Sequence, residues 1–249
     1  MKNEQRKNLS KFFSLYFNFV EIELYNSLLE ISVGRCNGIL YEFLKVINRI
    51  LKGLTQKESQ EIFGKLEVVL EQYEKNAILK RDEKNPLNLP TSKTEKVIEN
   101  FIDKELIDLL EIFFVAINDF RQILPKVPLD EKARLTFGIT NENAPTFTQA
   151  LLEFNNALSH IAIALYSNDQ EDKKNNIKKA KAHLYRGSLD CYKMLVRFAF
   201  SSNNINERIS HIYQKVRLKE FIKLGGNIQD KQELIESYKE IVNECLNFA

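Results

Sequence analysis

Two of the three histidines in this 249-residue chain, His160 and His183, fall in neighbouring helical segments, 145–167 and 171–200, each on one narrow polar stripe. An imidazole changes charge near neutral pH, so two of them beside carboxylates and a guanidinium make a set able to hold an anion or transfer protons. On the later segment Lys179, His183, Arg186, Asp190, Lys193 and Arg197 fall within an arc of roughly 80°, at 100° per residue. On the earlier one Gln149, Glu153, Asn156 and His160 span roughly 60°. The other sides of both segments are apolar or small, among them Leu151, Phe154 and Leu158, then Leu184, Leu189 and Val196.

The break between the segments, near 168–172, is short, so they are expected to run antiparallel as neighbours. Counting outward from the break puts His160 at the level of His183, Asn156 near Arg186 and Glu153 near Asp190. Facing stripes would make these six residues one polar seam, with His160, His183, Arg186 and Asp190 the catalytic candidates. The same stripes fit the solvated edges of two bundle helices, with Arg186–Asp190 an i,i+4 pair and Asp190–Lys193 an i,i+3 pair. Charge stripes at helical spacing more often take that second form.

Other chemistries have less support. His160 and His183 with Glu153 or Asp190 could ligate a metal, but no short motif enforces their convergence, and neither a metal nor a cofactor is expected. Phosphate-binding glycine loops, dinucleotide fingerprints and nucleophile elbows are absent from the sequence. Lys173, Lys174, Lys178, Lys179 and Lys181 crowd a helix start, where cations oppose the helix dipole and an anion such as nucleic-acid phosphate would relieve them. Glu171 and Asp172 just before them weaken that reading, and a solvated helix start is its alternative. A basic face for nucleic acid would have to combine these lysines with the 217–223 region. His211, with Arg208, Lys215 and Lys219 nearby, reads as surface.

The elements that must position these residues are helices. Eight glycines and five prolines leave long stretches with apolar spacing of three and four. Helices are expected over 9–32, 39–52, 55–81, 92–124, 145–167, 171–200, 205–224 and 229–248. Thr55-x-x-Glu58 and Ser92-x-x-Glu95 have the spacing of capping boxes, in which hydroxyl and carboxyl satisfy the orphan amides of a helix start. The stretch 107–115 is apolar nearly all round and suits the middle of a bundle. An all-α bundle of about eight helices around that central apolar helix follows, as a single domain over 1–249. A sub-boundary would fall near 83–91, and 125–144, rich in proline, glycine and asparagine, reads as an ordered loop.

With 44% hydrophobic residues the chain can bury a sizeable core, and 36 basic against 34 acidic residues leave a net charge of only +2. Cys36, Cys191 and Cys245, odd in number and far apart, fit reduced packing thiols in a cytosol. The aromatic run 12–24 is interrupted by Glu21 and Glu23, so it reads as the core stripe of the first helix, with neither a secretory signal nor a membrane span expected. A cytoplasmic protein is the expectation.

The run Ala182-His183-Leu184-Tyr185-Arg186-Gly187-Ser188-Leu189-Asp190-Cys191-Tyr192-Lys193, after a helix carrying His160, resembles the helical hairpins of HEPN-like proteins over about 55 residues. That family implies bundles that dimerise, many of them metal-independent ribonucleases of toxin and phage-defence systems. Its catalytic pattern, an arginine followed four to six residues later by histidine, is absent, since Arg208 and His211 stand too close. The resemblance therefore carries no catalytic residue over and implies a non-catalytic relative in a bacterial stress or defence module. The expectation is a protein that acts by contact with a protein partner or with itself, as a regulatory or accessory component, rather than an enzyme. An RNA-directed enzyme of HEPN-like character and a non-catalytic nucleic-acid binder are the alternatives.

Overall fold

A computed structural model describes residues 3–26, 36–77, 103–126, 147–202, 207–222 and 228–247. Eight α-helices and no strands are found among them: α1 Asn3–Asn26, α2 Asn37–Lys52, α3 Gln56–Lys75, α4 Lys104–Ile123, α5 Thr148–Tyr166, α6 Gln170–Ser202, α7 Glu207–Ile222 and α8 Ile228–Asn247. A 3₁₀ turn, Leu124–Lys126, follows α4 at the proline expected to stop it. The fold is an all-α bundle.

Local chemistry sets the helix ends. The capping box at Thr55 forms: Thr55 Oγ1 accepts from the Glu58 amide at 3.3 Å, and Glu58 Oε2 accepts from the Thr55 amide at 2.9 Å. Helix α2 stops at Gly53, whose φ of 92° lies where side chains with a Cβ are strained. Helix α3 ends at Lys75, short of the expected 81, with Asn76 at its C-cap. Two caps the sequence reading passed over are aspartates: Asp103 Oδ1 accepts from the Leu106 amide and Asp169 Oδ1 from the Asp172 amide, both at 2.8 Å. The second capping box, the sub-boundary near 83–91 and all of the expected 125–144 loop beyond Lys126 lie outside the described residues.

By its contacts the chain divides into two units, Met1–Leu110 with Phe154–Lys181, and Glu111–Glu153 with Ala182–Ala249. Helices α4, α5 and α6 each give one end to either unit. In the first, α1, α2 and α3 pack on one another. The aromatic run of α1 turns inward as expected: Phe12, Phe13, Tyr16 and Phe19 are buried with Phe43 of α2, and Phe43 meets Phe12 and Tyr16 edge-on at 5.5 and 5.6 Å. The Tyr16 hydroxyl, fully buried, lies 2.9 Å from Asn155 Oδ1 and 2.7 Å from Ser159 Oγ, so a phenol in an aromatic core keeps its hydrogen bonds. Burial pushes its pKa above the usual phenol value.

The second unit joins the rest of α4–α6 to α7 and α8. Helix α4 buries Phe113, Ala116, Ile117 and Phe120 there, while Val115 is exposed, so this part of the apolar helix has one solvent side. Among the described residues no helix is long and apolar enough to cross a membrane. Cys191 and Cys245 are buried free thiols, and Cys36 is a partly buried one.

Candidate functional site

The α5–α6 hairpin turns through Ser167, Asn168 and Asp169, with the Asp169 cap starting α6 at Gln170. That cap fixes the register. In the second unit His183 Nδ1 lies 2.5 Å from Glu153 Oε2, and in the first His160 Nδ1 lies 2.8 Å from Asn176 Oδ1. Both pairs are centred on Asn168. The count in the sequence placed the centre further along, because the short polar stretch after 167 read as a longer break, and it therefore put the two histidines level with each other. Instead each has its own polar neighbour on the other helix. Asn176 spends its amide nitrogen on the Asp172 carbonyl at 2.8 Å, which leaves its oxygen to accept from His160 Nδ1–H.

The group gathered in the second unit is Glu153, His183 and Arg186. Glu153 is buried, His183 half-buried and Arg186 exposed, so the stripe is part seam and part edge. Arg186 Nη2 stands 3.4 Å from Glu153 Oε2 and 2.8 Å from His183 Nδ1. A ring nitrogen carries either a proton or a lone pair, so Nδ1 either donates to Glu153 or accepts from Arg186 at any moment. A carboxylate that holds Nδ1 fixes the tautomer and directs proton chemistry to Nε2, with the guanidinium alongside for negative charge.

Gly187 explains how α6 comes this near. A Cβ there would lie 2.5 Å from Phe113 Cε2 and 3.1 Å from Glu153 Cβ, so only glycine lets the helix approach the backbone that carries Glu153.

Asp190, one turn from Arg186, makes no hydrogen bond or ion pair among the described residues, so neither expected pair, with Arg186 or with Lys193, forms. Burial raises its pKa and Glu153 adds to the rise, against the opposing pull of Lys193, Arg197 and Arg186. Lys193 turns to α7 instead and binds Glu220. Glu220 also takes a hydrogen bond from the Tyr238 hydroxyl and an ion pair from Arg217, each at 2.6 Å. Burial opposes ionisation of Glu220, yet Lys193 and Tyr238 hold its pKa below the ordinary glutamate value. On the first stripe Gln149 and Asn156 are exposed, and on the second so are Lys179 and Arg197.

The lysine run separates by position. Lys181 is bound by Asp103 at 2.6 Å and Glu105 at 2.8 Å, and these hydrogen bonds raise its pKa against the opposing effect of burial. Lys174, Lys178 and Lys179 are exposed, as are Glu171 and Asp172, while Lys173 is half-buried. Among the described residues no group of three or more His, Cys, Asp or Glu is gathered as a metal site would need.

One surface was missed in the sequence. On α7 the buried residues are Ile209 and Val216, yet Leu218, Phe221 and Ile222 are 59, 74 and 70% exposed. At 100° per residue these three centre roughly 170° from the buried pair, so they form a second apolar face pointing away from the interior. The signal was available: the three large apolar residues fall off the stripe that continues from Ile209 through Val216.

Comparison with protein-family models, with curated proteins and with solved structures finds no match.

Proposed function

We propose that this chain works by binding another protein, as a regulatory or accessory component, and that α7 presents the contact. The observation that supports the reading is the outward ridge of Leu218, Phe221 and Ile222. Scattered single apolar residues are normal on a surface, but three adjacent large ones on one helix turn, opposite that helix's own buried stripe, have the character of an interface core. A photoreactive residue at position 221 in the full chain tests it, with one at the exposed Val68 of α3 as control. Discrete protein adducts at 221, absent at 68 and lost with Leu218→Asp, are expected. Adducts equal at both positions, or adducts to RNA alone, overturn the reading.

A second reading, RNA-directed chemistry, is favoured by the Glu153, His183 and Arg186 grouping, in which a buried carboxylate orients an imidazole beside a guanidinium. Incubation of the purified protein with total RNA separates the two. Cleavage that disappears with His183→Ala and with Arg186→Ala establishes the enzyme and overturns a purely binding role.

A further inference from the structure

We infer that the partner of α7 is a protein segment that is itself amphipathic and acidic, with apolar anchors for the ridge and carboxylates on either side of them. This rests on the protein-contact reading above and adds the partner's chemistry. The ridge of Leu218, Phe221 and Ile222 lies between two exposed cations of the same helix, Lys215 on one side and Arg217 on the other, each within roughly 100° of its centre.

One of these cations has no counter-charge from within and the other shares one. Lys215 has no ion pair among the described residues. Arg217 does reach Glu220, but that carboxylate is shared with Lys193 and with the Tyr238 hydroxyl, so one negative charge answers two positive ones. Glu220 is also half-buried and turned toward α6 and α8, away from the ridge. The nearest outward carboxylate on α7 is Glu207, about three turns back. A surface of hydrocarbon flanked by positive charge that is only partly balanced selects a partner with the complementary pattern, because like charges brought against it are costly.

The same pattern argues against other occupants. A second copy docking by this face would bring Lys215 and Arg217 against their own counterparts. A membrane surface would need an apolar face running along the helix, whereas the outer face of the first half of α7 carries Glu207, His211 and Gln214. Single-stranded RNA would stack on Phe221, but Leu218 and Ile222 beside it offer no second ring for the next base.

The test uses the full chain and three labelled helical peptides with identical leucine and phenylalanine anchors, flanked by glutamate, by glutamine or by lysine. The glutamate peptide is expected to bind at least about tenfold more tightly than the lysine peptide, with the gap narrowing as salt rises. Phe221→Ser, a solvent-facing change, should abolish binding of all three. Lys215→Glu should remove or reverse the preference while leaving the glutamine peptide's affinity unchanged.

Equal affinity for all flanks, failure of every peptide to bind, or no effect of Lys215→Glu overturns the acidic partner. Phe221-dependent binding to phosphatidylserine vesicles or to an RNA oligonucleotide, tighter than to the glutamate peptide, also overturns it. So does a Phe221-dependent dimer in sedimentation. Protein adducts at position 221 without a charge preference would leave the protein-contact reading standing and remove only the acidic chemistry. Absence of those adducts removes both.

Discussion

In the first unit the space between α1 and α2 is filled largely by rings, with Phe43 edge-on to Phe12 and Tyr16, and the buried polar groups among them, such as the Tyr16 hydroxyl and the Asn8–Ser59 pair, are uncharged. In the second unit the half-buried positions go to charge: Glu153 with His183 and Arg186, Glu220 with Lys193 and Arg217, and Asp119 with the Tyr192 hydroxyl at 2.6 Å and Lys239 at 3.1 Å. That same unit turns Leu218, Phe221 and Ile222 outward. A ring cluster is non-directional and tolerates solvent conditions, whereas half-buried ion pairs are sensitive to geometry and pH. Units that shelter charge and expose hydrocarbon do so at a cost in stability, and that cost is where binding or catalysis is to be sought.

The contrast is broken most forcefully by removing its apolar half. Phe43→Ala deletes a ring with no solvent exposure and leaves a cavity against Phe12, Tyr16 and Phe19, with an expected loss of about 3–5 kcal/mol in urea unfolding. Because the loss is hydrophobic, it should be nearly the same at pH 5 and pH 7. A strongly pH-dependent loss would mean that the packing around Phe43 is coupled to the ionised groups of the first unit, such as Lys181 with Asp103 and Glu105.

On the polar side the next largest effect is expected from Glu220→Gln, which leaves Lys193 half-buried without its counter-charge, at about 1–3 kcal/mol. The pH behaviour has a definite sign. The folded-state pKa of Glu220 is depressed, so its contribution is present above the ordinary value of 4.5 and is lost as pH falls through the lower folded value. Wild type and Glu220→Gln should therefore differ fully at neutral pH and converge in strong acid. A difference that persists there would assign the loss to packing.

Gly187→Ala comes next. The added methyl meets the buried Phe113 ring, and overpacking of this kind costs about 1–3 kcal/mol, part of it offset by the better helix propensity of alanine. A more telling readout is the His183 imidazole in NMR, since displacing Glu153 changes what Nδ1 touches. An unchanged His183 signal in a folded Gly187→Ala protein would show that the close approach does not hold the pair together.

Much of this architecture was legible in the sequence because it follows from local rules: the Thr55 capping box, the glycine stop at position 53 and the inward aromatic stripe of α1 are each read from a few adjacent residues. The Glu153, His183, Arg186 grouping was half legible. Helical spacing identified the two stripes, but their register depended on a turn whose capping aspartate, Asp169, looked like one more polar residue of the break. Glu220 and Tyr238 were illegible as partners of Lys193, since pairing across α6, α7 and α8 is decided by packing angles that no spacing along one helix reports. Asp190 shows the limit most clearly: i,i+3 and i,i+4 spacing to Lys193 and Arg186 predicts ion pairs, yet those cations are engaged by Glu220 and Glu153.

That outcome makes Asp190 the smallest and sharpest test, because its effect has the opposite sign to that of Glu220. Burial raises the Asp190 pKa above the usual 3.8, so the folded protein holds the proton more tightly than the unfolded chain does. The ionised group therefore subtracts stability at neutral pH, and the penalty shrinks as pH falls below the raised folded value and is gone below the ordinary 3.8. Asp190→Asn should stabilise the protein at pH 7, by under about 1 kcal/mol because the side chain is partly solvated and the charge is screened. The advantage should shrink on acidification, while the Glu220→Gln deficit shrinks over its own lower range. If Asp190→Asn destabilises at pH 7, the nearby Lys193, Arg186 and Arg197 gain more from the carboxylate than its desolvation costs. Asp190 would then belong to the ionic scaffold of the second unit with Glu153 and Glu220. If it stabilises, the unit carries a carboxylate whose desolvation costs stability beside a carboxylate-held imidazole, and binding or catalysis at that point on α6 is where such a cost would be offset.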